Sequence, residues 1–478
     1  MTQVMIVVFD GLQPSQVTPE LMPNLAQFAS EGVIFSKHHP VFPTVTRVNA
    51  ATLVTGRISG SHGLAANTLV ARDFDDDRVI QAMQPHLDAM SRAGVPILFT
   101  PTLAELLSQH GQEYTAIGVG TSGNAYVHNP RAEEVGGATI HPEFTLPASL
   151  NDRLISRFGP WPDEARPNTP RFAHAYRIMT EHVLPERQPA VALMWSSEPD
   201  KSQHSAGVGS ELACVALGEA DAKFGELIRW LDDNGNSDGT DVIVLSDHGY
   251  STITDRIDLD AELPAAGFGP DDVLIATNGG SALFYVTDNN ADITDRLAQW
   301  LMAQPWCGAL LASDSVGQIE GTLPTSLVGM QGARGPELAM SFRWDSRISE
   351  NGFLGFAYST SASAGLGQHG SMSKHELRNT GIARGPSFKS GVTIDSPSGN
   401  IDIAPTILEI LGYDGGESMD GRVLEEALVS GSGAVESSTE THAAERKLSS
   451  GVFRQQVTLS TVGQTVYVDE GNAEFISA

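Results

Sequence analysis

Cysteine is almost absent from this chain. Only Cys214 and Cys307 occur in 478 residues, without the spacing of a metal clip, so a disulfide scaffold or a cysteine-based zinc module is not expected. Basic residues are scarce too: 29 Lys and Arg against 58 Asp and Glu give a formal net charge of −29. Affinity for nucleic-acid backbones and anionic membranes comes mainly from Lys and Arg, so neither a nucleic-acid polymer nor a membrane is expected as partner. A small phosphorylated substrate stays open if cations offset the field. No apolar run approaches the ~20 residues that span a bilayer. Residues 1–15 lack the basic, apolar and small-residue parts of a secretory signal, so the cytoplasm is the expected compartment.

What is present suits an α/β fold. Hydrophobic residues make up 41% of the chain, enough for a sizeable core. Val4–Phe9, Ala190–Trp195 and Asp241–Leu245 are short, apolar and rich in β-branched residues, as in strands buried on both faces. Helices are expected from Pro23 through Phe28, over Arg47–Val54 with a stop at Gly56, over Leu212–Leu231, Ile293–Met302 and Ile403–Leu411. Further strands are expected at Tyr114–Val119 and Glu337–Trp344. The alternation predicts a three-layer α/β/α architecture around a mainly parallel sheet. Its catalytic domain would span 1–430, with cap insertions at about 68–185 and 255–335. Residues 431–478 read as a Ser/Gly/Thr-rich linker, Gly431–Glu440, followed by a strand segment at Val457–Val468 that returns to the sheet edge.

In such sheets ligands collect beyond the carboxyl ends of the strands. Each of the three apolar strands runs into ligand-type side chains there: Asp10, then Asp200 and His204, then Asp247 and His248. His369, between glycines, can join them, with His375 its nearest rival. His38, His39, His62 and His128 read as core or surface residues, and Trp195 as core. Three carboxylates and three imidazoles suit two borderline metals such as zinc, and paired metals suit an in-line displacement at phosphorus. Thr46 precedes a helix, where it can serve as a nucleophile facing an anion or simply as an N-cap.

These residues resemble a known family. Phe42-Pro43-Thr44-x-Thr46-x-x-Asn49, Thr55-Gly56 and Ser61-His62-Gly63-x-x-x-Asn67 look like the nucleophile region of the nucleotide pyrophosphatases/phosphodiesterases of the alkaline phosphatase superfamily. Asp10-Gly11, Asp200-x-x-x-His204, Ser246-Asp247-His248-Gly249, His369-Gly370-Ser371 and Asp402-Ile403-Ala404-Pro405-Thr406 follow in that family's order. The likeness covers roughly residues 4–67, 190–250 and 335–425. It implies a metal-dependent hydrolase of phosphodiester or pyrophosphate bonds. Thr46 would be the nucleophile, forming a phospho-threonine, and would bind one zinc with Asp10, Asp247 and His248. Asp200, His204 and His369 would bind the other. Asn67 and the backbone N–H of Arg47 would donate to a phosphoryl oxygen.

Two positions depart from the pattern. The glycine usual before the histidine is Gln203, and Arg47 stands where relatives often carry an aromatic residue. Arg47 either clamps a terminal phosphate or faces solvent. With neither Arg47 nor Lys201 an evident clamp, diesters are expected to outpace monoesters. The Cys/Ser-x-Pro-x-Arg signature of sulfatases is missing. A phosphomonoesterase or phosphonate hydrolase of the same superfamily remains the alternative enzyme, and a metal-stabilised binding protein the alternative of another class.

Overall fold

A computed structural model describes residues 3–431, 433 and 435–477. Its centre is a nine-stranded sheet formed by β1 (Gln3–Phe9), β2 (Val33–Phe35), β3 (Tyr114–Gly118), β4 (Ala138–His141), β5 (Phe144–Leu146), β6 (Val191–Ser196), β7 (Thr240–Leu245), β8 (Gly381–Arg384) and β9 (Val392–Ile394). The spatial order is β9-β2-β8-β7-β1-β6-β3-β4-β5. The five strands β7, β1, β6, β3 and β4 are mutually parallel, while β8 and β5 join antiparallel.

Alternation along β1 explains why its sequence is apolar throughout. Val4, Ile6 and Val8 enter one core cluster, and Met5, Val7 and Phe9 enter the other. Each face is covered by helices. On the first side lie α2 (Thr46–Thr55) and α5 (Ile403–Leu411), through Ala50, Leu53, Val54, Ile403 and Ile407. On the second lie α1 (Pro23–Glu31) and α4 (Glu211–Asp233), through Leu25, Phe28, Leu217, Phe224 and Leu227. Buried Asp221 of α4 accepts the N–H groups of Asn24 at 3.0 Å and Leu25 at 2.8 Å, satisfying the free start of α1 from a neighbouring helix. The α2 helix ends at Gly56, whose φ of 63° is the left-handed C-terminal conformation.

Two expectations change. The stretch 68–185 supplies β3, β4 and β5 to the central sheet, so most of it belongs to the catalytic core rather than to a cap. β3 falls where a strand was expected, but scattered Pro and Gly hid β4 and β5, which are only four and three residues long. Strands within residues 255–335 lie outside the central sheet. The strands Val273–Asn278, Ser281–Val286, Cys307–Ala312 and Leu323–Pro324 pair with Leu338–Phe342 in a five-stranded sheet, and the helix Ala291–Met302 shares their own core.

The carboxyl-terminal segment also differs. Residues Ser437–Leu448, Gly451–Val462 and Thr465–Ser477 form a three-stranded antiparallel sheet of their own instead of extending the central one. The linker expected over Gly431–Glu440 therefore runs into a strand at Ser437, and its positions 432 and 434 lie outside the described residues. Alternating burial along Gly451–Val462 lets Phe453 enter the core of the five-stranded sheet and Val457 and Leu459 enter the main one. Among the described residues, no helix is long and apolar enough to cross a membrane. Cys214 and Cys307 are both free.

Candidate active site

The parallel strands deliver their following residues to one rim. Asp10 follows β1 directly and Asp247 lies two residues beyond β7. Asp200 opens the helix α3 (Asp200–Ala206), four residues beyond β6. The backbone locks this junction: the Asp200 N–H donates to the Asp10 carbonyl at 3.0 Å, and Gly11 N–H to Asp247 Oδ1 at 3.0 Å. Gly11 has a φ of 70°, and a β-carbon there would lie 2.8 Å from the Tyr250 ring, so the turn needs glycine on both counts.

Six ligand-type side chains converge. Donor atoms of Asp200, His204 and His369 lie within 4.8 Å of one another, as do those of Asp10, Asp200 and His248. Asp247 joins through Oδ2, 3.2 Å from His248 Nε2. Asp200 thus sits between the two halves: its Oδ1 is 3.3 Å from His204 Nε2 and 3.5 Å from His369 Nε2.

All three imidazoles are held in the same manner. Nδ1 of His204 meets the Gly367 carbonyl at 3.0 Å, Nδ1 of His248 the Gly249 carbonyl at 2.9 Å, and Nδ1 of His369 the Thr44 carbonyl at 2.8 Å. A carbonyl partner keeps the proton on Nδ1 and leaves the Nε2 lone pair for the centre, the arrangement of metal-binding histidines. Asp10 Oδ1 and Asp247 Oδ2 are buried without a hydrogen-bond partner. Burial pushes Asp10 well above the ordinary carboxylate range, and the Asp247 and Asp200 charges push it further. Burial acts on Asp200 in the same direction, yet His204, His369 and His248 hold it below that range. Crowded carboxylates with orphaned oxygens beside imidazole lone pairs form a donor set that fits divalent cations.

Thr46 faces this centre. Its Oγ1 lies 3.3 Å from His248 Nε2. The N-cap of α2 is Val45, with no side-chain cap bond, so the N-cap reading of Thr46 does not hold. The Arg47 N–H donates to Asn67 Oδ1 at 2.9 Å. The two groups expected to share a phosphoryl oxygen are therefore bonded to each other, which leaves Asn67 Nδ2 as the donor of this pair. The Arg47 side chain is half-buried rather than solvated. Lys201 pairs with Glu164 at 2.5 Å.

Several supporting residues escaped the sequence reading. Trp195 is core as expected, but its Nε1 also donates to Asp10 Oδ2 at 3.0 Å. The Tyr250 hydroxyl donates to Asp200 Oδ1 at 2.9 Å. Thr44, inside the nucleophile motif, grips the loop of His369: its hydroxyl accepts from Gly370 N–H at 3.0 Å and lies 2.9 Å from the Ser371 carbonyl. Buried Glu376 accepts Ser371 N–H at 2.6 Å and Gln368 Nε2 at 3.0 Å in the same loop. The x-Thr44-x-Thr46 spacing was the available signal for Thr44. Nothing in the sequence pointed to Glu376. His375 turns away to Ser346, and His62 is buried between Thr52 Oγ1 and Leu64 N–H.

The family described as type I phosphodiesterase / nucleotide pyrophosphatase matches residues 4–306. Human ectonucleotide pyrophosphatase/phosphodiesterase family member 5 is 24% identical over 263 residues, covering 55% of this chain and 48% of that protein. The bis(5'-adenosyl)-triphosphatase of Xenopus laevis is 27% identical over 259 residues, covering 53% and 49%. The matched part thus spans about half the length of these curated relatives. Among solved structures, murine ectonucleotide pyrophosphatase/phosphodiesterase 5 superposes with a TM-score of 0.63 at 18% identity, over 86% of this chain and 95% of that one. An inactive variant of the same murine protein, in complex with AMP, gives 0.63 at 18% identity over 87% and 96%. These likenesses establish a shared alkaline-phosphatase-like fold.

Proposed function

The chain belongs to the type I phosphodiesterase/nucleotide pyrophosphatase family, and from that premise we propose that it hydrolyses phosphodiester or pyrophosphate bonds through a phospho-threonine on Thr46. The observation that carries the reading is the 3.3 Å approach of Thr46 Oγ1 to His248 Nε2, at the mouth of the Asp/His cluster and free of any capping role. Asp10, Asp247, His248 and Thr46 would hold one divalent cation, and Asp200, His204 and His369 a second. The mixed imidazole and carboxylate donors favour zinc. When bound, such ions supply Lewis acidity and compensate the buried carboxylates.

The chain's own residues do the rest. Thr46 Oγ1 attacks phosphorus in line and gives its proton to solvent, while the bond from phosphorus to the leaving oxygen breaks, its electron pair staying on that oxygen, which takes up a proton from solvent. Asn67 Nδ2 donates to a non-bridging oxygen as charge builds there, and the Arg47 N–H fixes the amide that presents it. Water then cleaves the Thr46 ester and restores the hydroxyl. The substrate is a small phosphorylated molecule. The unpaired Cys214 and Cys307 are compatible with the cytoplasm as the compartment.

The test is hydrolysis of bis(nitrophenyl) phosphate by zinc-loaded protein, with acid quenching during turnover. Mass spectrometry is expected to find one nitrophenylphosphoryl group on the peptide containing Thr46. Turnover that persists in Thr46→Ala would refute the covalent route. Zinc-loaded protein that binds phosphate esters but turns none over would leave a binding protein instead.

A further inference from the structure

Gln203 stands where the resembling pattern has glycine, and the fold gives that departure a use. Glycine would bring no side chain to this position. Gln203 is fully buried, and both ends of its amide are bonded. Its Nε2 donates to the carbonyl of Gly11, one residue past Asp10, at 3.1 Å. Its Oε1 accepts from Gln16 Nε2 at 2.8 Å, and Gln16 Oε1 accepts the Gln13 N–H at 3.0 Å. Gln13 Nε2 donates in turn to the Tyr250 carbonyl at 2.9 Å, and the Tyr250 hydroxyl returns to Asp200 Oδ1. Residues that follow β1, β6 and β7 are thereby joined in one ring of contacts.

Backbone groups fix the direction of this relay. A carbonyl only accepts, and an N–H only donates. The Gly11 carbonyl requires Nε2 of Gln203, which leaves Oε1 for Gln16. The Gln13 N–H requires Oε1 of Gln16, which leaves Nε2 for Gln203. Both ends demand the same orientation, so neither amide flips without breaking two contacts. Every member is neutral, so the relay adds no charge to the crowded carboxylates of Asp10, Asp200 and Asp247.

What the relay holds is α3. A helix of seven residues is too short to keep its own conformation without tertiary contacts. This one carries both Asp200 and His204, and Asp200 sits between the two halves of the cluster. The bond from Asp200 N–H to the Asp10 carbonyl fixes its first residue. Gln203 supplies a second point three residues on, and two points fix a direction. With glycine at 203, α3 could pivot about the first point and carry His204 away from the Asp10 side.

We infer that Gln203 is a positioning residue, which through Gly11 and Gln16 sets α3 against the Asp10 turn and so sets the distance between the two halves of the Asp/His cluster. It touches no reacting atom. The inference rests on the reading of that cluster as a divalent-metal centre.

Gln203→Met keeps the approximate volume of the side chain and removes both of its contacts, while Gln16→Met breaks the same relay one residue further out. Competition against a chelating dye measures the zinc affinity of the folded protein, and cobalt(II) absorption at saturation reports the geometry of the occupied centre. Zinc is expected to bind about tenfold more weakly in both variants, as when a supporting contact is lost, and the cobalt bands are expected to move from their parental positions. A lower urea midpoint with parental zinc affinity and parental cobalt bands would make Gln203 a residue of stability alone and overturns the inference. If Gln203→Met does not fold, Gln16→Met decides on the same readouts. If the parent binds neither zinc nor cobalt, the metal reading fails, and hydrogen exchange at the Asp200 amide in metal-free protein tests the positioning separately. There, exchange about tenfold faster in the variants sustains it, and exchange at the parental rate rejects it.

Discussion

His248 and His369 lie face to face, ring centroids 3.6 Å apart and 12° from parallel. One follows β7 and the other a two-residue strand more than a hundred positions later. Their Nδ1 atoms are drawn to separate carbonyls, Gly249 and Thr44, so the stack presents two Nε2 atoms to two adjoining donor groups. We expect about two zinc-type ions per chain after zinc repletion, in keeping with paired-metal phosphate chemistry. Elemental analysis of protein purified without chelator measures this. A stoichiometry of one, unchanged in His369→Ala, would show that the His369 half of the cluster does not bind.

Thr46→Ala separates chemistry from stability. Loss of a true N-cap costs about 1 kcal/mol, but here Val45 occupies that position and Thr46 caps nothing. The variant should therefore unfold within a few tenths of a kcal/mol of the parent while kcat falls by several orders of magnitude. Urea unfolding and steady-state rates report the two quantities. A destabilised but active variant would reassign the nucleophile to water.

Thr44→Val keeps shape and removes the hydroxyl that receives Gly370 N–H. The His369 loop then loses a fixed anchor while every ligand stays in the chain. Zinc affinity at the Asp200, His204 and His369 group should weaken by about 10–100-fold, the usual effect of a lost supporting contact. Competition against a chelating dye gives the affinity, and kcat at saturating zinc should largely recover. Unaltered affinity would show that Thr44 does not position His369.

Acid sensitivity follows from histidines outside the centre. Burial pulls His38 and His141 down to about 4, and His62 and His128 down to about 3. Above pH ~6.5 these groups are neutral in both states. Below it the unfolded chain binds protons that the folded chain refuses until pH 4 to 3, so stability present above pH ~6.5 is lost as pH falls through that window. Each group contributes a slope of at most ~1.4 kcal/mol per pH unit. Urea midpoints should fall between about pH 7.5 and about pH 5.5, and His62→Gln should flatten the fall by roughly one proton. An unchanged slope in that variant would mean His62 is protonated in the folded protein.

The residues of the Asp/His cluster were legible because they lie beyond strands whose apolar character is itself legible. Asp10 and Asp247 could be placed from β1 and β7 alone. Short elements were not legible. β4 and β5 have four and three residues, and their pairing with β3 depends on the sheet already present. Supporting contacts were lost for another reason: Tyr250, Trp195 and Glu376 act through partners remote in sequence, which no local pattern records. The role of His62 was half visible. Its motif marks the approach to Asn67, but only the fold shows it bonded to Thr52 of α2.

The carboxyl-terminal sheet sets the order in which the protein becomes competent during synthesis. Gly471 N–H donates to the Met372 carbonyl at 3.0 Å, three residues past His369, and the Gly471 carbonyl accepts from Trp344 Nε1 at 2.7 Å. Asp469 holds His39, three residues before Phe42, at 3.0 Å, and the Tyr467 hydroxyl reaches Asp402 at 2.8 Å. A nascent chain that has already made every residue of the Asp/His cluster up to His369 still lacks the strand that seats that loop. The candidate site is thus finished only after residues 465–471 leave the ribosome, and a half-made chain holds most of the Asp/His cluster without the contacts that seat its last loop.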